Sequence, residues 1–147
     1  MSIKNRLADD MKQAMRAKDS ARLSALRMLL AAIKQKEIDE RAELDDVGVI
    51  ATIERLLKQR KDSATQYAAA GREDLAANER FEIEVLSAYM PAPFSDAEID
   101  ALLDEALRET GASSGRDMGK VVAWLKPRLA GRADMAAVSA RIKTRLG

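Results

Sequence analysis

The residues best suited to chemistry in this sequence are charged side chains that fall on otherwise apolar helix faces. On a helical wheel of about 100° per residue, Arg60 lies in the middle of an apolar sector, and Glu79 and Glu82 lie inside the apolar stripe of the following helix. Arg27 falls between leucines of an earlier helix, and Lys61 follows Arg60. Such a site would use a carboxylate as acid or base and a cation to grip an anion.

The same five residues also have a structural interpretation. A charge buried in a helical layer is tolerated only when it is paired with an opposite charge. Three helices that aim opposite charges at a common interface would therefore form an ion-pair network that fixes their register. No nucleophile with an adjacent base accompanies the cluster, so we favour the structural network and assign no catalytic residue.

The last part of the chain is basic and suits a polyanion. Residues 116–147 carry eight Lys or Arg against two Asp or Glu, whereas residues 95–115 carry one against six. Two helix N-termini, at 114–116 and 131–134, would present free N–H groups beside an arginine, which favours phosphate. The candidate RNA contacts are Lys120, Arg132, Arg116, Lys126, Arg128, Arg141, Lys143 and Arg145. Backbone contacts of this kind give salt-sensitive binding with little base recognition.

Two features near these basic residues have alternatives. Trp124 lies at the edge of an apolar stripe, where it either stacks on a base or completes the core. The basic surface itself could be an ordinary solvated helix face beside an acidic one. A nucleotide-binding phosphate loop is excluded, because the interval between Gly115 and Gly119-Lys120 is too short and Val121 stands where Ser or Thr is required.

Composition excludes further classes of function. The chain of 147 residues has no Cys and no His, which removes disulfides, zinc fingers and Cys- or His-based catalysis, and we expect no metal and no cofactor. No apolar run is long enough to span a bilayer, and the first residues lack the apolar region of a signal peptide. The sequence therefore predicts a cytoplasmic protein without a membrane partner.

Hydrophobic periodicity predicts an all-α protein. Aromatic residues make up only 3% of the chain, although 47% is hydrophobic, a balance that suits amphipathic helices. Four helices are expected before residue 91, at about 3–18, 20–40, 47–70 and 74–90. Three shorter ones are expected after it: one capped by Ser95 and ending before Gly111, one opened by a Ser114/Asp117 capping box, and one capped by Asp134. Pro127 should kink the sixth helix or end it early.

The segment between these two sets of helices predicts a hinge. Pro91 and Pro93 lack N–H donors and restrict the residues before them, while Ser95 and Glu98 form a capping box that starts a new helix. We therefore expect an N-terminal helical domain at 1–91 and a small three-helix domain at 95–147. The prolines and the cap also predict a stiff joint.

Several motifs in this order resemble the YqeY-like proteins of the GatB/YqeY family. They are Arg60-Lys61-Asp62-Ser63, Ala70-Gly71-Arg72-Glu73-Asp74-Leu75, Glu79, Glu82, Tyr89-Met90-Pro91, Asp117-Met118-Gly119-Lys120-Val121 and Gly131-Arg132-Ala133-Asp134. That family is similar to the C-terminal tail region of the B subunit of the glutamine-dependent Asp/Glu-tRNA amidotransferase, where the tail helps to hold tRNA. The resemblance implies an all-helical protein with a tRNA link, and Lys120 and Arg132 are the contacts that match its motifs.

Three hypotheses for function follow. The first is a non-catalytic tRNA-binding or amidotransferase-like accessory protein that holds RNA backbone through its basic C-terminal domain. The second is an adaptor whose helices dock a protein partner. The third, implied by the family resemblance alone, is an activity associated with a carbon–nitrogen ligase that uses glutamine as amido donor.

Overall fold

The computed structural model describes residues 2–147, and every regular element in that range is helical. Its helices are α1 (Ile3–Arg16), α2 (Ser20–Glu40), α3 (Asp46–Ala69), α4 (Glu73–Ser87), α5 (Asp96–Thr110), α6 (Met118–Leu129) and α7 (Met135–Leu146), with a 3₁₀ turn at Gly115–Asp117. The prediction of an all-α protein is confirmed. None of these helices combines the length and apolar composition needed to cross a membrane.

The helices form two compact units, one ending at Met90 and the other spanning Pro91–Gly147. In the first unit, side chains of Ser2, Asp19 and Asp45 accept hydrogen bonds from backbone N–H groups at the starts of α1, α2 and α3. Such caps satisfy N–H groups that have no partner inside the helix. α4 packs mainly on α3 and also on α2, and α1 packs on α2. Fully buried core side chains include Leu7, Leu26, Leu29, Ile33, Val49, Ile53 and Leu86.

The second unit is built around α6, which packs on both α5 and α7. Ser95 and Glu98 form the predicted capping box, and Gly111 ends α5 in the left-handed conformation with φ 66°. Glycine adopts that conformation without the steric cost of a Cβ atom, so the sequence favours a helix end here. The buried core comprises Ile99, Leu103, Ala106, Val121, Leu125, Leu129, Val138 and Ile142.

The structure differs from the sequence-based helices at three places. α4 ends at Ser87, earlier than Met90, because the chain passes into a turn in which Tyr89 and Met90 donate to the carbonyls of Leu86 and Ser87. Pro127 lies inside α6, which continues to Leu129, so the helix does not end at the proline; the alternative of a kink stays a prediction. Ser114 makes no side-chain cap; instead the 3₁₀ turn precedes α6, and the Asp117 carboxylate accepts from the N–H of Ser113.

Candidate nucleic-acid interface

The charged cluster of the first unit is centred on Arg60 of α3. Its Nε donates to Glu82 Oε2 at 2.9 Å, Glu79 Oε2 lies 4.0 Å away, and Nη2 is 3.0 Å from the sulfur of Met28. The Arg60 side chain is only 20% exposed, so both α4 carboxylates face a partly buried cation. Three of the five residues predicted to cluster are therefore brought together.

The other two members of that predicted cluster lie elsewhere. Arg27 and Lys61 are exposed and make no ion pair with any residue from 2 to 147. Helical-wheel position placed Arg27 on a stripe of leucines, but a long, flexible side chain at the border of a buried face can extend into water.

α6 carries a basic ridge at four-residue spacing, formed by Lys120, Trp124 and Arg128 and called here the α6 ridge. Residues four apart lie next to each other on a helix surface. The Arg128 guanidinium lies 3.6 Å from the centre of the Trp124 ring and donates to the Trp124 carbonyl oxygen. Lys120 is 69% exposed, with its Nζ 3.8 Å from a carboxylate oxygen of Asp117. Arg116, exposed in the 3₁₀ turn, precedes Lys120 by four residues.

Trp124 takes one of the two roles that the sequence left open, because it packs in the core; base stacking stays a prediction. It is partly buried and packs against the core of the second unit, yet part of it remains accessible to solvent. Arg128 lies against its ring, an arrangement in which the cation is attracted by the π electrons.

The Arg132 side chain is engaged in contacts within the second unit. Its guanidinium stacks 3.7 Å from the centre of the Phe94 ring, and its Nε donates to the carbonyl oxygen of Ala92 at 2.8 Å. The backbone N–H of Phe94 in turn donates to the Arg132 carbonyl at 2.9 Å. These contacts tie the segment before α5 to the segment before α7. Arg132 is thus less available to an outside ligand than Lys120.

The remaining basic candidates fall into two groups. Arg141 and Arg145 of α7 pair with aspartates of α5. Lys126 and Lys143 are exposed and form no ion pair within the described range. Lys126 is two residues from Arg128, and residues at that spacing do not share a helix face. The basic side chains are therefore distributed over more than one side of the unit.

Each of the two predicted phosphate sites has a carboxylate of the chain beside it. The Asp134 carboxylate accepts from the N–H of Ala136 at the start of α7. At the other site, the hydrogen bond from the Ser113 N–H holds the pKa of Asp117 below its usual range, so this carboxylate is charged at neutral pH. A carboxylate of the chain thus lies near each helix start, and phosphate binding at these two places stays a prediction.

A second polar cluster in the first unit was not predicted. The Tyr89 hydroxyl donates to the Asp10 carboxylate, Arg22 lies 4.0 Å from the same carboxylate, and the Arg6 guanidinium lies 5.1 Å from the Tyr89 ring centre. Beside this cluster is a cavity of about 340 Å³ that also contacts Phe81. Asp10 and Tyr89 are far apart in sequence, and no local pattern signals their pairing.

Fold and surfaces together define an all-helical protein with a basic ridge on its C-terminal unit. The model of the YqeY-like proteins matches residues 4–146, and the chain belongs to this family. The family resemblance found in the sequence motifs is thereby confirmed.

Similar fungal proteins carry the name "Altered inheritance of mitochondria protein 41, mitochondrial". The one from Lachancea thermotolerans is 36% identical over 92% of this chain and 76% of its own length. The one from Vanderwaltozyma polyspora is 32% identical over 80% of this chain and 68% of its own length. A third, from Eremothecium gossypii, is 38% identical over 74% of this chain and 61% of its own length.

These names correct the predicted location. A cytoplasmic protein was predicted from the lack of a membrane-spanning apolar run and of a signal-peptide region, whereas the similar proteins are named as mitochondrial. The expectation is therefore wrong on this comparison, because features of the first few residues alone are a poor guide to cellular location.

Proposed function

We propose that this protein is a non-catalytic accessory protein that binds tRNA through the sugar–phosphate backbone. The observation that carries the proposal is the α6 ridge, in which Lys120 and Arg128 flank Trp124 on one exposed line of the helix. Lysine and arginine at the surface neutralise phosphates, and a partly exposed aromatic ring next to them offers stacking to an unpaired base. The similarity of the C-terminal motifs to a tRNA-holding tail supports the same assignment.

The test is binding of bulk tRNA by the full chain at several salt concentrations, with a Lys120→Glu/Arg128→Glu variant. We expect affinity that falls steeply with salt, and a loss of at least about tenfold in the variant, because two phosphate contacts become repulsive. Arg132 is left intact in this test because its contacts with Phe94 and Ala92 are structural.

The matched control reverses the same number of charges on the other unit. Lys12 and Lys58 are exposed and make no ion pair within residues 2–147, so Lys12→Glu/Lys58→Glu changes net charge equally without touching α6. Undetectable tRNA binding by the wild-type protein, or an equal loss in both variants, would overturn the proposal.

A protein-interaction adaptor is the second candidate, favoured by two exposed apolar side chains near the α2–α3 connection. Ile38 is 69% exposed and Val47 67% exposed. Covering exposed apolar side chains with a partner removes them from water, which favours binding. RNase-insensitive recovery of one stoichiometric protein, lost in Ile38→Ser/Val47→Ser, would favour this function over RNA binding. The carbon–nitrogen ligase alternative has no supporting observation in the described residues, and we do not propose it.

Two structural proposals accompany this function. The Arg60, Glu79 and Glu82 cluster is proposed to hold α3 and α4 in register, because the arginine donors are already engaged by Glu82 and Met28. The two compact units are proposed to be independent domains corresponding to the predicted 1–91 and 95–147, since each has its own buried apolar cluster.

A further inference from the structure

A line of negative charge on α5 pairs with two arginines of α7. Asp96, Asp100 and Asp104 recur every four residues on α5 and are called here the α5 acidic ridge. Successive members are about 6 Å apart along the helix axis. The partners, Arg141 and Arg145, are also four residues apart on α7, so the two lines of charge match in spacing.

The contacts between these lines are direct. Arg141 Nη2 lies 2.6 Å from Asp96 Oδ1, and Arg141 Nη1 lies 2.9 Å from Asp100 Oδ1. Arg141 Nη1 also donates to the Asp96 carbonyl at 3.3 Å. Arg145 pairs with Asp104. One arginine thus bridges two carboxylates, and the next arginine takes the third.

These ion pairs border an open cleft. A cavity of about 490 Å³ between α5 and α7 is lined by charged members of both lines, with Leu103 and Ala140 among its apolar lining. The Arg141 side chain is 32% exposed and the Asp96 side chain 87% exposed. Exposed ion pairs contribute little stability and weaken further in salt. A polyanion that approaches the cleft would therefore meet arginines whose present partners are replaceable.

We propose that Arg141 and Arg145 form a second nucleic-acid backbone contact that the α5 acidic ridge masks. In the free protein the aspartates occupy the guanidinium groups in place of phosphates. A phosphodiester backbone displaces them, because guanidinium binds phosphate oxygens through two parallel hydrogen bonds as readily as it binds carboxylate. This inference rests on the proposed RNA-binding function and adds a surface on which affinity is held down by the chain itself.

The experiment removes the mask without changing side-chain size. In Asp96→Asn/Asp100→Asn/Asp104→Asn, we expect tRNA affinity to rise roughly tenfold at low salt, the scale of a few surface ion pairs. The logarithmic salt dependence should steepen by about 1.4 to 1.8, because two phosphate contacts are added. Adding Arg141→Ala/Arg145→Ala to the same variant should abolish both gains.

The charge-matched control is Asp9→Asn/Glu54→Gln/Asp62→Asn, which neutralises three exposed acids that form no ion pair in the described range. An equal gain in this control, or a gain that survives removal of the two arginines, would overturn the masked contact. The single variant Asp104→Asn, which frees only Arg145, should give a smaller gain and guards against misfolding of the triple variant.

Heparin separates this inference from the proposed function. Retention on immobilised heparin depends on exposed cations and needs no RNA-specific contact, so the triple variant should elute at higher salt than its control even if the wild-type protein binds no tRNA. In that case the proposed RNA-binding function is refuted, whereas the masking of Arg141 and Arg145 by the α5 acidic ridge is supported. Suppose instead that the wild-type protein binds tRNA through the α6 ridge, but the triple variant binds neither tRNA nor heparin more tightly than its control. The masking of Arg141 and Arg145 is then refuted, whereas the proposed RNA-binding function is supported.

Discussion

At the scale of single residues, Arg60 shows how a charge is accommodated on a core-facing position. Its side chain is 20% exposed, and its guanidinium donates to Glu82 and to the sulfur of Met28. Removing only the cation would leave Glu79 and Glu82 next to each other and partly withdrawn from water. Replacing Arg60 therefore lowers stability mainly because two partly buried carboxylates lose their positively charged partner.

We predict that Arg60→Met lowers the free energy of unfolding by about 1–2 kcal/mol, since methionine retains the stem but leaves two carboxylates without a partner. Urea unfolding at neutral pH measures the change. Arg27→Met is the matched control, because Arg27 is exposed and unpaired within residues 2–147, and it should change stability by less than about 0.5 kcal/mol. Equal effects of the two substitutions would contradict a structural role for the Arg60 cluster.

Tyr89 gives a prediction in the alkaline range. Burial, followed by the hydrogen bond to Asp10, raises the pKa of the Tyr89 hydroxyl well above its usual value. Above pH of about 10 the unfolded chain releases this proton while the folded protein retains it, so the folded state loses stability as pH rises. Below that pH the contribution is fully present.

We therefore expect the free energy of unfolding of the wild-type protein to fall more steeply between about pH 10 and pH 11.5 than that of Tyr89→Phe. At pH 7 the same substitution should cost about 1–2 kcal/mol through the lost hydrogen bond to a carboxylate. Denaturant unfolding across this pH range supplies both values. Tyr67→Phe retains Tyr89 and should keep the steep alkaline fall; parallel profiles for wild type and Tyr89→Phe would refute the assignment.

At the scale of elements, two serines near helix starts have similar sequence contexts, but only one of them caps its helix. Ser95 accepts from the Glu98 N–H at 3.1 Å, and the Glu98 carboxylate accepts from the Ser95 N–H at 3.0 Å. The Ser95 N–H holds the pKa of Glu98 below its usual range, so this contribution is present at neutral pH and is lost as pH falls into the acid range. Ser114 has a similar sequence context and makes no such bond.

We predict that Ser95→Ala destabilises the C-terminal unit by about 1 kcal/mol, the usual value of a serine N-cap. Ser114→Ala should change stability by less than about 0.5 kcal/mol, although both substitutions remove one serine hydroxyl near a helix start. Thermal unfolding followed by circular dichroism compares the pair. A loss at Ser114 as large as that at Ser95 would show that the 3₁₀ turn depends on a hydroxyl contact.

Much of the helical pattern was readable from sequence, because local signals dominate helix boundaries. α2 spans Ser20–Glu40 as predicted, and α5 ends at Gly111, whose left-handed φ glycine adopts without strain. Two of the departures are local: α4 ends in a turn at Tyr89 and Met90, and Asp117 accepts from Ser113 where a Ser114 cap was expected. Pro127 is tolerated near the end of α6, which is anchored by the buried side chains of Leu125 and Leu129.

At the scale of the whole molecule, charge composition predicted the basic character of the last part of the chain but not which cations are free. Counting residues cannot show that Arg141 and Arg145 are paired with aspartates about 40 residues earlier, or that Arg132 stacks on Phe94. Those pairings depend on how α5 and α7 pack in three dimensions. The α6 ridge, by contrast, follows from four-residue spacing and could have been found from sequence.

The two apolar clusters give the last prediction, which concerns independence of the units. Leu26 and Leu125 are both fully buried, one in each cluster. Leu125→Ala should destabilise α5 to α7 by about 2–4 kcal/mol through lost burial and a cavity. Amide hydrogen exchange there should accelerate by at least about 30-fold, while α1 to α4 keep their wild-type rates. Leu26→Ala should give the opposite pattern. If either substitution accelerates exchange in both units equally, the chain unfolds as one cooperative body and the two-domain proposal is wrong.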